Sequence, residues 1–384
     1  LRPAAIYLTA RVVGLLAAVA TGILHPGNVG TPGLPAPWLQ SAGVPLGRSL
    51  LVWDSRWYLD IARNGYPSAI HHAGSFVPMN GSAFLPLLPE TIRALNDITG
   101  LSFGVSGLLL CSIYALIGAI VIWALCRDLW GEAAATRACA LFCFFPGAFI
   151  FNFVYTEALL VALAAGCLFS LYRQRWVIAG VLAGLATATH AAGLALVFAC
   201  AWAAAVALYR HRDWSALSAP VLAPMGFLGY LAYLQVHTGS FRTFFISNAQ
   251  GFGERFSLAA PWTRLTDLVG NPSGSFAGAP GWPPSSIMET INLVGLAFFV
   301  VAVVLLVRSR VPGSFLWYTG VVVFLNLFSM LGGLHPRFLL AAFPLVIGLG
   351  NWLRGVWYQA TLVVFGSLMV ALTVATVGTM LVVP

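Results

Sequence analysis

The sequence contains no lysine and few charged residues of any kind. Of 384 residues only 8% are charged: 19 basic residues, all of them arginine, and 11 acids. A soluble protein carries about 25% charged residues, so a soluble globular domain is excluded. Disorder is excluded as well, because 60% of the residues are hydrophobic and disordered chains have low hydrophobicity. The composition indicates a polytopic membrane protein. Its net charge of +8 favours a role in topology and lipid binding over nucleic-acid binding.

Cofactor and disulfide signatures are also missing. The sequence has no phosphate-binding loop, dinucleotide fingerprint, zinc motif or serine nucleophile elbow, so we expect neither a cofactor nor a metal. His71 and His72 could be combined with Asp54 or Asp60, but that spacing matches no ligand pattern. The cysteines lie in or beside apolar segments and are predicted to be small core residues. They are Cys111, Cys126, Cys139, Cys143, Cys167 and Cys200.

Apolar stretches long enough to cross about 30 Å of hydrocarbon predict an all-α bundle of about eleven transmembrane helices. They lie at 6–24, 105–125, 138–153, 155–172, 176–190, 191–209, 218–236, 288–307, 314–331, 338–353 and 357–381. We expect one membrane domain over 1–384, with two long loops at 25–104 and 237–287. Because the sequence begins at Leu1 rather than at a methionine, a longer natural chain is expected.

The arginines predict the orientation. If Arg2 is cytoplasmic, the other short cytoplasmic connections carry nine arginines, whereas the short outer connections carry only Arg337. The nine are Arg127, Arg137, Arg173, Arg175, Arg210, Arg212, Arg308, Arg310 and Arg354. Both long loops then share the outer face with the turns at 153–157, His190 and 332–337.

The first loop contains the leading candidate for chemistry. Spacing over 50–63 puts Asp54, Trp57, Tyr58 and Ile61 on one face of an interfacial helix. Burial near tryptophans raises the pKa of a carboxyl group unless a cation offsets it, and Arg56 is close enough in sequence to be that cation. Asp54 is thus a candidate general base; the alternatives are a surface pair with Arg56 or a helix cap. A second short helix is predicted from Pro89-Glu90 to Gly100.

Other polar residues gather at the predicted outer turns. Glu157, after Tyr155, opens a span; it either faces an internal cavity or complements the helix dipole. The turn His335-Pro336-Arg337 could clamp a phosphate, or Arg337 could extend to lipid headgroups. His190 is either a ligand or a structural histidine.

Three sequence blocks resemble the GPI mannosyltransferase 2 (PIG-V-like) family. The first runs from Trp53-Asp54 to Gly65-Tyr66 and continues into Phe84-Leu85-Pro86-Leu87-Leu88-Pro89. The second runs from Phe145-Pro146 through Tyr155-Thr156-Glu157. The third is His335-Pro336-Arg337-Phe338 with Phe343-Pro344. One departure is His190-Ala191-Ala192-Gly193, where relatives carry an arginine before a similar triplet.

The resemblance implies a GT-C-type glycosyltransferase in a bacterial inner membrane, with its site on the periplasmic side. It implies inverting, metal-independent transfer of mannose from a polyprenyl-phosphate donor to a glycolipid, in contact with membrane lipids. Asp54 inherits the role of base. The residues expected to bind the donor phosphate or substrate are Arg337, His335, His190, Glu157, Tyr155, Arg56, Trp57 and Tyr58.

Three other functions stay open. One is a GT-C enzyme that uses another lipid-linked sugar or a protein acceptor. A transporter or flippase would carry charges at mid-span on discontinuous helices, whereas the acids here cluster at one face. A non-catalytic subunit of a membrane complex is the third, and the intact Asp54 argues against it.

Overall fold

The computed structural model describes residues 1–24, 47–69, 77–270 and 285–379. Within these ranges the chain is helical, and the only strand pairing is an antiparallel bridge between Phe256 and Ser329. The α-helices are α1 Arg2–Leu24, α2 Gly47–Leu50, α3 Ser55–Asn64, α4 Leu87–Thr99, α5 Phe103–Trp130, α6 Glu132–Cys143, α7 Glu157–Tyr172, α8 Trp176–Thr187, α9 Ala195–His211, α10 Ser218–Leu222, α11 Met225–Thr238, α12 Thr243–Ile246, α13 Ala260–Gly270, α14 Ser285–Arg308, α15 Gly313–Phe328, α16 Pro336–Ala341, α17 Pro344–Trp352 and α18 Gly355–Val374.

The membrane character is confirmed, but the expected count of eleven spans is not. Among the described residues, five helices are long and apolar enough to cross a bilayer, or seven if two bent pairs each form one span. Three further apolar helices, α7, α8 and α15, are shorter than 18 residues. The sequence stretches at 138–153 and 218–236 are broken in the structure by bends of 68° and 40°. Hydropathy does not detect such breaks, because the residues on both sides of a bend remain apolar.

The first of these bends is important for the site. It joins α6 to a 3-10 helix, Pro146–Asn152, which we call the 3-10 segment. All seven of its residues are buried, and it packs against α1, α5, α16 and α18. An irregular backbone of this kind is tolerated inside a membrane protein only where surrounding protein covers it. The packing around the 3-10 segment supplies that cover.

A helix forms in the first loop over Ser55–Asn64, so it begins later than the predicted 50–63 and Asp54 precedes it instead of lying on its face. The second helix, α4, begins at Leu87 rather than at Pro89-Glu90. Pro89 is accommodated because the first turn of a helix has no internal partner for its N–H groups. Gly100 ends α4 with φ +71°, a left-handed conformation that glycine adopts without steric cost.

The second long loop is partly helical. It contains α12, the π-helix Ser247–Phe252 and α13. Arg264 ties α13 to the chain before α16 by donating to the carbonyl of Leu327 at 2.9 Å and to that of Ser329. The proline-rich part of this loop, 271–284, lies outside the described residues, and so do His71 and His72.

Candidate active site

Asp54 stands immediately before α3. Its backbone N–H donates to the hydroxyl of Tyr155 at 3.0 Å, and the preceding Trp53 has a left-handed backbone with φ +51°. The side chain makes no hydrogen bond to the start of α3, so the alternative of a helix cap is wrong. Protein surrounds the carboxyl group on most sides, yet the side chain keeps 34% of its surface accessible. Asp54 is therefore partly accessible, and we call the surroundings of its carboxyl group the recess.

Glu157 and Arg337 form a buried ion pair beside Asp54. Glu157 is the first residue of α7 and its side chain is 2% exposed; Arg337, in α16, is 12% exposed. The Nε of Arg337 donates to Oε1 of Glu157, while Nη1 lies 3.8 Å from Oδ2 of Asp54. The guanidinium also lies over the ring of Tyr155, 4.8 Å from its centroid. One cation thus bridges two carboxylates from distant parts of the chain.

Electrostatics in this cluster favour a proton acceptor at Asp54. Burial raises the pKa of the Asp54 carboxyl; Arg337 lowers it, Glu157 raises it, Arg56 lowers it, and the net direction is upward. Burial also lowers the pKa of Arg337, but Glu157, Tyr155 and Asp54 outweigh that effect, so Arg337 stays charged. The main cation beside Asp54 is therefore Arg337 rather than the Arg56 that sequence proximity suggested.

Arg56 occupies a different environment. It is 8% exposed, and its guanidinium lies 5.4 Å from the ring centroid of Trp57. Its Nε and Nη1 are buried without a hydrogen-bond acceptor in the described part of the chain. A buried N–H group without an acceptor costs about 1–3 kcal/mol. The alternative of a surface pair with Asp54 is therefore wrong, and Arg56 contributes a buried positive charge near Asp54 instead.

The two histidines lie near the ion pair as neutral groups. Nδ1 of His190 accepts the N–H of Ala192 at 3.0 Å and caps a 3-10 turn. Burial lowers the pKa of His190, with opposing contributions from Glu157 and Arg337. Burial, with help from Arg264 and Arg337, lowers the pKa of His335 to about 4. At neutral pH both side chains can offer hydrogen bonds but not positive charge.

An aromatic wall completes the recess. Trp57 stacks on Phe84 at 5.8 Å between centroids and meets the edge of Phe252 at 5.7 Å. Tyr58 packs its edge on Phe84 at 5.2 Å, and its hydroxyl lies 3.3 Å from that of Thr156. Sequence reasoning quoted Phe84 only as part of a motif and missed Phe252. No local signal identifies Phe252, because it reaches the wall from the second long loop.

A glycine sets how closely α16 approaches the 3-10 segment. A Cβ on Gly147 would lie 2.0 Å from the carbonyl oxygen of Pro336 and 3.0 Å from the nitrogen of Arg337. Both are backbone atoms and cannot rotate away, so only glycine permits this contact. Gly147 thereby fixes the start of α16, and with it the position of Arg337.

The site is recessed along the bundle. The thiol of Cys111 donates to the carbonyl of Tyr155 at 3.4 Å. Cys111 lies eight residues into α5, which begins at Phe103, or about 12 Å from that end at 1.5 Å per residue. The ion pair next to Tyr155 is therefore below the start of α5 rather than on an open surface.

Comparison with known proteins gives a match to a family model. Residues 39–215 match the family model described as mannosyltransferase (PIG-V). The match confirms the resemblance to the PIG-V-like family. It contains the first two sequence blocks, including Asp54, Tyr155 and Glu157. The chain matches no curated protein.

The similarity to the first of two solved structures shows the fold of this chain. ArnT from Cupriavidus metallidurans, bound to undecaprenyl phosphate, matches with a TM-score of 0.50 and 16% identity, over 82% of this chain and 58% of that one. The oligosaccharyltransferase AglB from Archaeoglobus fulgidus matches with a TM-score of 0.46 and 12% identity, over 96% of this chain and 56% of that one. The fold is of the GT-C type. This chain spans little more than half the length of either protein.

Proposed function

We propose that this protein transfers mannose from a polyprenyl-phosphate donor to a hydroxyl of a glycolipid. The observation that carries the proposal is the cluster of Asp54, Arg337 and Glu157. It combines an accessible carboxylate whose pKa burial raises with a cation that stays charged. A general base of this kind accelerates a reaction about 10²–10⁴-fold.

The proposed reaction is a direct displacement. Asp54 takes the proton from the acceptor hydroxyl as its oxygen attacks the anomeric carbon of mannose. The bond between that carbon and the phosphate oxygen breaks, and the electron pair leaves with the polyprenyl phosphate. Attack opposite to the leaving group inverts the anomeric centre, so a β-linked donor gives an α-mannoside. The base and the phosphate then lie on opposite sides of the sugar.

Charge on the leaving phosphate needs a cation, and two are present. Arg337 is the first candidate because its charge is permanent and Glu157 holds it in place. Arg56 is the second, because its buried guanidinium has N–H groups without acceptors among the described residues. Preorganised donors of this kind are worth about 10²–10³ in rate. His190 and His335 assist through neutral hydrogen bonds, and Trp57 with Tyr58 and Tyr155 forms walls for the sugar.

The depth of the site supports a lipid-linked donor. If the start of α5 lies at the outer membrane surface, a site about 12 Å below that end is at the level of lipid headgroups and upper acyl chains, where a polyprenyl tail could remain in the bilayer. We further propose a bacterial inner membrane with the site on the periplasmic side, because the short connections of the opposite end carry the arginines. At the arginine-rich end, Arg2 pairs with Glu132, and Asp128 pairs with Arg173.

The test is transfer of labelled mannose from polyprenyl-phosphate mannose to membrane lipids by the purified protein. We expect Asp54→Asn to abolish transfer while the protein remains folded. Asp60→Asn is the matched control, since Asp60 lies on the same helix and, among the described residues, its side chain bonds to Asn64 at 2.7 Å, one turn away. Wild-type turnover in Asp54→Asn would contradict the role of base. Transfer of a different lipid-linked sugar would change the proposed donor, and transfer to protein would change the proposed acceptor. In both cases the proposed displacement reaction would stand.

Orientation is tested separately by labelling from outside intact cells. Single cysteines replace exposed Asp97, near the start of α5, and exposed Arg175, near the start of α8. The native cysteines are buried, so we expect the reagent not to modify them. We expect an impermeant thiol reagent to modify the cysteine at 97 and not that at 175. The reverse pattern would contradict a periplasmic site.

A further inference from the structure

Arg11 is a charged residue in the middle of the first span. It lies nine residues after Arg2 in α1, or about 14 Å along the helix at 1.5 Å per residue. It is only 8% exposed. An arginine at the centre of a membrane helix costs about 2.5–3.5 kcal/mol, and such residues usually have a function. The reaction proposed above does not use it.

The guanidinium of Arg11 bridges two other elements. Nη2 donates to Oγ of Ser112 in α5 at 3.0 Å, and Nη1 donates to Oδ1 of Asn152. Tyr7, one turn earlier in α1, donates its hydroxyl proton to the carbonyl of Ser112 at 2.9 Å. One turn later, a Cβ on Gly14 would lie 2.3 Å from Nδ2 of Asn152. The helix α1 therefore approaches the end of the 3-10 segment closely, and Arg11 makes the polar link.

The 3-10 segment is linked to the candidate active site at both ends, by chain connection at one end and by contact at the other. Asn152 ends the segment, and three residues later Tyr155 accepts the N–H of Asp54 and places its ring under Arg337. At the other end Gly147 contacts the backbone that leads into Arg337. Any shift of the 3-10 segment therefore moves residues on two sides of the base.

The 3-10 segment needs an external tie. Hydrogen bonds in 3-10 helices have poorer geometry than those of α-helices, and runs longer than three or four residues are uncommon. This segment has seven residues and follows a 68° bend. Asn152 also closes its last turn, with Nδ2 donating to the carbonyl of Phe149 at 3.1 Å. Arg11 donates to Oδ1, the oxygen of the same side-chain amide.

We propose that Arg11 is a positioning residue for the transfer reaction, because its bridge between Ser112 and Asn152 holds the 3-10 segment where Tyr155, Glu157 and Arg337 face Asp54. The catalytic consequence rests on the proposed function. The structural consequence does not, since the bridge would hold the segment whatever the substrate. Two measurements therefore test the two consequences separately.

The structural measurement uses the native Cys111, which is 1% exposed, lies next to Ser112 and bonds to the carbonyl of Tyr155. We expect Arg11→Met to increase the rate at which a membrane-permeant maleimide alkylates Cys111 by about 10-fold, through local opening. Cys167, fully buried in α7, is the internal control and should not change. Unchanged alkylation of Cys111 overturns the proposal, and so does an equal increase at both cysteines, which would indicate general loosening.

The catalytic measurement is mannose transfer at several pH values. For Arg11→Met we expect kcat to fall by about 10–100-fold, the KM for the donor to stay within about 2-fold, and the acidic limb of the pH profile to move. Loss of a residue that only stabilises the fold would lower the fraction of active enzyme. The molecules that remain folded would keep the KM and the acidic limb of the pH profile of the wild type. Asn152→Leu removes the acceptor for Arg11 and should behave as Arg11→Met does.

The outcomes of the two measurements can be distinguished. If the wild type transfers no mannose, the proposed function fails, and the alkylation of Cys111 still decides whether Arg11 holds the 3-10 segment. If the wild type is active and Arg11→Met keeps its kcat and its pH profile, the positioning role is overturned while the proposed function stands.

Discussion

Replacing Arg337 by methionine should separate its structural role from its chemical role. The substitution leaves Glu157, whose side chain is 2% exposed, as a buried carboxylate without its cation. Loss of one partner from a buried ion pair costs about 3–5 kcal/mol. We therefore expect the free energy of unfolding of Arg337→Met to fall by about that amount, measured by denaturant-induced unfolding in detergent micelles.

A second substitution tests the cause of that loss. In the double variant Arg337→Met/Glu157→Gln the buried charge is gone, and replacing a whole buried ion pair by neutral groups is often close to neutral for stability. We expect the double variant to recover most of the lost unfolding free energy. Arg2→Met is the control for an exposed pair, since Arg2 and Glu132 are 69% and 55% exposed; it should cost about 0–1 kcal/mol.

Activity should not recover with stability. In both Arg337 variants the leaving phosphate loses its permanent cation, so kcat should stay about 10²–10³-fold below the wild type. Recovery of transfer in the double variant would refute the chemical role of Arg337. A single variant as stable as Arg2→Met would refute the reasoning about the buried pair itself.

The other expectations concern pH and packing. Because burial raises the pKa of Asp54 and the base works deprotonated, kcat/KM should fall on acidification at a pH above the usual carboxyl pKa of about 3.9. Glu157→Gln removes a contribution that raises the pKa of Asp54, so this fall in kcat/KM should move to lower pH. Since burial lowers the pKa of His335 to about 4, the rate should not change with pH near 6.5 through titration of this histidine. His335→Gln should therefore keep most of the activity at pH 7. A change of rate near pH 6.5 that disappears in His335→Gln would contradict a neutral His335. Gly147→Ala should lower kcat/KM by about 10²-fold by displacing the start of α16. Gly229→Ala is the control and should behave as the wild type, because there is open space where its Cβ would lie. Equal activities of the two variants would refute the close approach of Gly147 to the backbone of Pro336 and Arg337.

Some features of the fold were predictable because their signal is local. The amphipathic helix after Asp54, the end of α4 at Gly100 and the ion pair of Glu90 with Arg93, at 3.2 Å, depend on residues three or four positions apart. Helix periodicity and glycine chemistry act over that range. The number of spans was not predictable in the same way. A break such as the one before Pro146 is stable only where neighbouring helices cover the exposed backbone.

The sequence by itself determined the class of the protein and the residues available for chemistry. Its scarcity of charge requires a membrane, and its arginines and acids predicted that Asp54, Glu157 and Arg337 lie at one end of the bundle. Only the tertiary structure decided their pairing, because Glu157 and Arg337 are 180 residues apart and the contact depends on how α7 and α16 pack. It also brought Phe252 into the wall and replaced Arg56 by Arg337 as the main cation beside Asp54. Charge interactions depend on distance and burial, which local sequence does not specify.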